Sequence, residues 1–556
     1  MSSDVALGAD LVVDTLAAEG VTHVFGLPGT TIMELIDALG RHADVRYLST
    51  RHEQVAGFMA DGLSRAGGPL GVCLASRGPG AANLAIAVQN AHDESIPMLA
   101  LVGQVPQSIN HRRSFEEMDV VSVFAPLCKW AVEITEAERI PELLQRAVRA
   151  AVTGRPGPVV VSLPLDVLQA PAEAAPGPRF RVHPPAPDPR GVAEAAALLA
   201  EAQRPALVVG GGATGDPEAV LALAEAAQAP VLSTWLRKNA VPNSHPAFLG
   251  ALGYGAHDVS DRAVREADVI VALGCRFSEF TTKRWTLLPP SARLVHVDVD
   301  PAELGRVYPP TVGLVSDAAA AARALADALG PLADAAQSEQ RGARRAQLRA
   351  EFDEVSAPVP APEPGENAVS SAALTTVVRE LAEREGVVLV QDVHTFGPWV
   401  ARHVPVERPR SYYGSAGGAM AWGFPAAMGM ALARPGERIV TLSGDGSFWM
   451  VAQDLETCVR EDIDVVTVVV NNFSYGNTRD RQRFAHDGRY QGVFLGNPDF
   501  AEYARLLGGH GIRVTSDAEL RPALEKALAT PGPCIVDVVQ DRMEGLPTGL
   551  TPPRAR

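Results

Sequence analysis

Two short polar clusters end consecutive apolar runs in the last third of the chain. The run Ile439–Leu442 ends in Ser443-Gly444-Asp445-Gly446, and the β-branched run Val465–Val470 ends in Asn471-Asn472. A helix-like segment of about twelve residues separates them. Strand, turn, helix and strand make a βαβ unit, whose crossover sets both strand ends on one edge of a parallel sheet. Open α/β sheets bind ligands at that edge. Asp445 offers a carboxylate and Asn472 an amide oxygen, hard donors suited to a magnesium ion that completes its shell with water and phosphate oxygens. Gly444 and Gly446 let a diphosphate approach the backbone, with N–H groups at Ser447 facing the anion. Asp-Gly alone is ordinary turn chemistry and Asn-Asn an ordinary loop end. Their pairing on consecutive strands is what points to a metal–diphosphate site.

The elements that must hold these residues repeat along the chain. Its 556 residues suffice for about three domains. Residues 1–170 alternate helical and strand patterns: HVFGLPG and VRYLST read as strands, and a helix is expected from near His52. Residues 171–192 are proline-rich and read as a linker. A second α/β unit, 193–345, carries strand patterns at Ala206–Val209, Pro230–Ser233, Val269–Leu273 and Leu294–Val299. A second linker is expected over 346–367, a third unit over 368–545, and a tail without core pattern over 546–556. The predicted fold is α/β, three doubly wound parallel-sheet domains. A net charge of −16 disfavours a general nucleic-acid binder. No apolar run approaches a bilayer span, and the N-terminus lacks a basic leader. Five scattered cysteines suit a reducing, cytoplasmic setting and give no zinc spacing.

GDG followed by NN at this distance resembles the thiamine diphosphate motif of the acetolactate synthase, pyruvate oxidase and benzoylformate decarboxylase family. That resemblance implies a pyrimidine-binding first domain, a Rossmann-like central domain and a diphosphate-binding third domain. It extends to Arg51-His52-Glu53-Gln54, where Glu53 matches the glutamate that hydrogen-bonds the cofactor's aminopyrimidine and activates it. On the residues alone, Glu53 reads as an acid favoured by a helix start, and the resemblance is what gives it the activating role. The loop Gly414–Pro425 resembles the segment that wedges the cofactor into a V. Met420 matches its bulky apolar residue and Gly418 a backbone contact, although Met420 also suits ordinary core filling. Carried over residue by residue, Asp445, Asn472 and the Ser474 carbonyl would hold Mg2+. Gly444, Gly446, Ser447, Tyr475 and Gly476, with His394 and Thr395, would border the diphosphate. Gly29, in GLPGTT, and Pro79 and Asn83, in SRGPGAAN, fall in loops around the pyrimidine and the reacting centre.

Several positions depart from an acetolactate synthase. The Phe-Gln-Glu pattern reads Phe115-Glu116-Glu117, a lysine is replaced by Leu165, and a methionine and tryptophan by Asn477 and Arg481; a Gln-His-Gln is not kept around His394. A lysine lost and an acid gained would weaken binding of a second 2-keto acid. Arg481 either restores a cation or is a solvated arginine. Phe115, Glu116 and Arg481 therefore join Glu53 as expected catalytic residues. Gly210-Gly211-Gly212, Arg276 and HVDVDPAELGR resemble parts of a flavin site, but a second arginine is missing near Arg276, which leaves FAD open. The expected activity is decarboxylation of a 2-keto acid with transfer of the acyl-anion equivalent to an acceptor. Aldehyde release by a simple decarboxylase or lyase, and a non-catalytic cofactor-binding paralogue, are the alternatives. The family builds its sites between subunits, so a homodimer or homotetramer is expected.

Overall fold

The computed structural model describes residues 6–332, 334–360, 368–547 and 550. Short apolar runs form three six-stranded sheets in which all pairings are parallel among the described residues. The first contains β1 (His23–Gly26), β2 (Arg46–Ser49), β3 (Gly71–Ser76), β4 (Met98–Gln104), β5 (Trp130–Glu133) and β6 (Pro158–Pro164), in the order β2-β1-β3-β4-β6-β5. The second contains β7 (Pro205–Val209), β8 (Val231–Ser233), β9 (Phe248–Ala251), β10 (Val269–Leu273), β11 (Arg293–Asp298) and β12 (Val312–Val315), ordered β12-β11-β10-β7-β8-β9. The third contains β13 (Val387–Gln391), β14 (Tyr412–Gly414), β15 (Arg438–Gly444), β16 (Val465–Asn471), β17 (His510–Val514) and β18 (Cys534–Val539), ordered β14-β13-β15-β16-β18-β17. The fully buried β16 reads Val-Val-Thr-Val-Val-Val-Asn, the continuous β-branched run of a strand covered on both faces. Register pairs Gly444 with Val470, so Asp445 and Asn472 leave neighbouring strands at the same edge.

The first and third domains share a hydrophobic core. Helix Glu53–Arg65 lies against helix Gly423–Ala433 through glycines that permit backbone contact. A Cβ at Gly62 would stand 2.1 Å from the Ala426 carbonyl oxygen, and one at Gly429 would stand 2.0 Å from that of Met59. A buried polar cluster ties all three domains together. Asp61 accepts from Arg65 at 2.9 Å and from the Trp422 indole at 3.0 Å. Glu94 accepts from Arg65 at 2.9 Å and from Arg237, in the central domain, at 2.5 Å.

Three expectations are corrected. The segment after Gly446 is not one helix but the short helix Asp445–Phe448, a 3-10 turn at Ala452–Asp454 and helix Leu455–Glu461. Trp449 and Met450 face outward, and the Asp454 carboxylate accepts the Arg51 N–H at 2.8 Å. Residues 346–356 are not linker: helix Ala335–Ser356 continues through them and packs Leu348 and Phe352 on the central core. The Phe352 ring meets Phe248 edge-on at 6.1 Å. At the other linker, helix Pro189–Glu201 begins before residue 192, with the Asp188 carboxylate capping its first turn. Residues 361–367 of the second linker and most of the tail (548, 549 and 551–556) lie outside the described residues. All five cysteines are free and buried. No helix among the described residues is long and apolar enough to cross a membrane.

Candidate active site

Glu53 is the first residue of its helix and is 6% exposed. The His52 ring caps the same helix by accepting the Gln54 N–H. The Glu53 carboxylate accepts from Asn83 at 2.9 Å, and a Cβ at Gly80 would stand 3.0 Å from its other oxygen. Asn83, Pro79 and Gly80 belong to helix Arg77–Glu94, which starts at the end of β3. Gly29 approaches β3 so closely that a Cβ there would stand 2.2 Å from that of Ser76. The Phe115–Glu116 loop lies on the first turn of the same helix: the Glu116 carbonyl accepts the Gly78 N–H at 2.9 Å. Glu116 has φ +60° and its carboxylate lies 4.0 Å from Arg77, while Phe115 is 76% exposed with the Arg77 guanidinium over its ring. The added acid at position 116 thus faces a cation already present. Gly29, Glu53, Pro79, Asn83, Phe115 and Glu116 therefore form one cluster at the carboxyl edge of the first sheet.

A second cluster lies at the carboxyl edge of the third sheet. Asp445 is 2% exposed; one carboxylate oxygen accepts the Gly446 N–H at 2.8 Å, the other the Ser474 N–H at 3.2 Å and the Asn497 amide at 2.7 Å. Burial outweighs these donors and raises Asp445 to about 6. The Asn472 amide oxygen accepts the Ser474 hydroxyl at 3.0 Å, and its NH2 donates to Thr395 at 3.2 Å. The Ser474 carbonyl accepts no hydrogen bond among the described residues. A Cβ at Gly446 would stand 2.6 Å from the Tyr475 ring, and one at Gly476 would stand 2.5 Å from Thr395. His394 adjoins Gly444, and neither of its buried ring nitrogens has a partner. Desolvation lowers it to about 3, so the ring is neutral. No group of three His, Cys, Asp or Glu side chains that could hold a metal occurs among the described residues. A cation at this edge would need the mixed set of carboxylate, amide and carbonyl oxygens, which suits a hard ion.

The Ser447 hydroxyl is already committed. It accepts the Ala421 N–H at 2.6 Å and donates to Asp392 at 2.7 Å, which leaves its backbone N–H for an anion. These bonds tie the Gly418–Met420 loop to the Gly444–Gly446 turn, with half-buried Met420 one residue before the bonded amide. Gly418 has φ +76°, a left-handed conformation that favours glycine. Asp392 and Asn497 went unread in the sequence: Asp392 closes a strand without a motif, and Asn497 reaches Asp445 from a loop twenty-five residues past Asn472. No hydrogen bond or ion pair among the described residues joins the Glu53 cluster to the Asp445 cluster.

Two cavities adjoin these clusters. One, of about 300 Å³, runs from Gly417, Gly418 and His394 to Trp235, Tyr254 and Phe280 of the central domain, with Arg481 in its wall. The other, of about 800 Å³, lies where the three domains meet and is lined by Gly210–Gly212, Arg276, Asp298 and Glu303, the residues singled out for flavin.

Three matches span this architecture. The thiamine pyrophosphate enzyme N-terminal binding domain matches residues 7–123, the central domain 192–325 and the C-terminal binding domain 392–538. The chain belongs to the thiamine pyrophosphate enzymes. It is 35% identical to the probable acetolactate synthase large subunit of Methanocaldococcus jannaschii, over 99% of this chain and 94% of that one. It is 33% identical to the acetolactate synthase isozyme 1 large subunit of Escherichia coli, over 97% and 94%. Against the probable chloroplastic acetolactate synthase 2 of Oryza sativa subsp. japonica the identity is 34%, over 97% and 83%. With these relatives, the protein is a thiamine diphosphate-dependent enzyme of the acetolactate synthase type, a carboligase by class.

Proposed function

We propose that the enzyme decarboxylates a 2-keto acid and transfers the resulting acyl-anion equivalent to an acceptor carbonyl, using Mg2+ with thiamine diphosphate. One observation carries the reading. A buried carboxylate, an amide oxygen and a free carbonyl converge at one sheet edge, between glycines whose side chains would fill the space. Asp445, Asn472 and the Ser474 carbonyl would hold the metal. Gly444, Gly446, Gly476 and the Ser447 N–H would face the diphosphate, with His394, Thr395 and Tyr475 beside it. When bound, the cofactor supplies a nucleophilic carbon and a sink for the electrons released with carbon dioxide.

The chain's own groups do the rest. Asn83 orients the Glu53 carboxylate, which would accept or hold a proton at the cofactor's pyrimidine. Gly29, Pro79 and Asn83 shape the wall around that ring. Gly418 would present its backbone to it, and Met420 would fix its bend. Phe115 and Glu116, docked on the first turn of helix Arg77–Glu94, would close the reacting side. The two clusters carry opposite ends of one cofactor, so the reading requires a second copy of the chain: the Glu53 cluster of one subunit completes the Asp445 cluster of another, in a homodimer or homotetramer. Its departures at Glu116, Leu165 and Arg481 set this enzyme apart from a standard acetolactate synthase in its choice of acceptor. In the large cavity, the Arg276 guanidinium has no hydrogen bond or ion pair among the described residues and would accept an anionic dinucleotide such as FAD. The visible spectrum of the purified protein reads that directly.

The test is a screen of 2-keto acids with carbon dioxide detection, with and without aldehyde or keto acceptors, on wild type and Glu53→Gln. The expected result is Mg2+-dependent turnover, with carboligation products, that falls at least about a hundredfold in the variant while cofactor binding persists. Full turnover by Glu53→Gln would refute the assignment. Aldehyde as the sole product would make the enzyme a simple decarboxylase.

A further inference from the structure

Resting on the reading above, we infer that the smaller cavity selects a 2-keto acid with an aromatic side chain, and that Arg481 binds its carboxylate. The far end of the cavity is built by the central domain. Trp235 stacks on Phe280 with centroids 4.8 Å apart and planes 14° apart, and Tyr254 meets Phe280 edge-on at 6.5 Å. Three rings in stacked and perpendicular contact leave an apolar slot that a fourth ring can extend by the same geometry. A small aliphatic side chain would leave these rings without a partner at the far end of the cavity.

Arg481 is the cation of this wall, on helix Gly476–Ala485 directly after the Asp445 cluster's loop. Its neighbour Asp480 is bound to Arg479 at 2.8 Å, and Arg481 has no hydrogen bond or ion pair of its own among the described residues. An unpaired guanidinium beside an aromatic slot matches a carboxylate two carbons from a ring-bearing group, bound through two parallel N–H donors. The opposite end of the cavity, at Gly417, Gly418 and His394, holds the reacting carbonyl. The overall step is balanced without a further reagent: the carbon–carbon bond to the carboxylate breaks, carbon dioxide leaves, and a proton or an acceptor carbonyl takes the electron pair.

The experiment compares phenylpyruvate with pyruvate on the full chain loaded with thiamine diphosphate and Mg2+. The expected kcat/KM is at least about tenfold higher for phenylpyruvate. Arg481→Gln should raise KM for phenylpyruvate at least about tenfold to a hundredfold with kcat little changed, the loss due to the charge-assisted pair of hydrogen bonds to the carboxylate. Arg481→Lys should fall between. Phe280→Ala, at a partly exposed position, should lower the phenylpyruvate-to-pyruvate ratio at least about tenfold. Tryptophan fluorescence gives a readout without turnover: phenylpyruvate should quench the loaded Glu53→Gln enzyme, and Trp235→Phe in that background should abolish the change. Pyruvate turnover with inert phenylpyruvate, or an unchanged KM in Arg481→Gln, would overturn the inference and leave the proposed function standing. No carbon dioxide from either acid, with cofactor shown to be bound, would remove both.

Discussion

Asp445 is a buried carboxylate beside an amide oxygen and a carbonyl that accepts no hydrogen bond among the described residues. It is held by three donors, two backbone N–H groups and the Asn497 amide, the nearest of them at 2.7 Å. Asp445→Ala removes the one anion of the set, and the expected outcome is at least about a hundredfold weaker Mg2+-dependent retention of thiamine diphosphate, measured by calorimetry. Unaltered retention would place the metal elsewhere. Asp454 makes a separate case, since one of its oxygens is buried without a partner and burial raises the group to about 6. Its folded value exceeds the ordinary 3.8, so the stability it contributes is full below about pH 4 and is lost as pH rises through 6. Asp454→Asn keeps an acceptor for the Arg51 N–H and carries no charge. It should flatten the fall in melting temperature between pH 4 and 6 and raise stability at pH 7 by up to ~3 kcal/mol. What was legible at this scale is local: the glycines, Asp445 and Asn472 are read from spacing because strand ends place them. Asp392, Asn497 and the Trp235–Tyr254–Phe280 slot were not, because each acquires its role from elements far away in the chain.

Strands were legible almost to the residue where both faces are buried. β10 falls on the expected Val269–Leu273, and β16 extends the expected run by a single residue. The breaks in the helix expected after Gly446 were not, because Phe448, Val451 and Leu455 turn inward and Trp449 and Met450 out at the i, i+3, i+7 spacing of one continuous helix, which the short helix, 3-10 turn and second helix preserve. The continuation of helix Ala335–Ser356 was hidden by its charged sequence, and only packing of Leu348 and Phe352 decides it. Between domains, the element that matters is the glycine-mediated crossing of helix Glu53–Arg65 on helix Gly423–Ala433. Gly62→Ala would drive a methyl into the Ala426 carbonyl, which no rotamer can avoid. We expect a loss of about 1–3 kcal/mol, seen in urea unfolding, and reduced turnover, because the same helix begins at Glu53. A melting curve like that of wild type would show that the two helices can move apart freely.

At the level of the whole molecule, the three domains are legible as three repeats of one pattern, but nothing in the sequence says how they are joined. The joint is charged. Glu94, at the end of helix Arg77–Glu94, receives Arg65 from its own domain and Arg237 from the central one, next to the large cavity. Burial works against its charge, yet the two guanidiniums prevail and hold it at about 2 against an ordinary 4.5. The sign follows from linkage: the contribution is present above about pH 4.5 and is lost as pH falls toward 2. Acid should therefore loosen the central domain from the first before either sheet melts, since the sheets are held by apolar cores that do not titrate. Glu94→Gln leaves buried Arg65 and half-buried Arg237 short of an anion and should cost about 3–5 kcal/mol at neutral pH. Limited proteolysis followed across pH would show it: the variant should release a central-domain fragment at pH 7, as wild type does only in acid. Equal cleavage of both proteins at every pH would mean that the domains are held together by something other than this ion cluster.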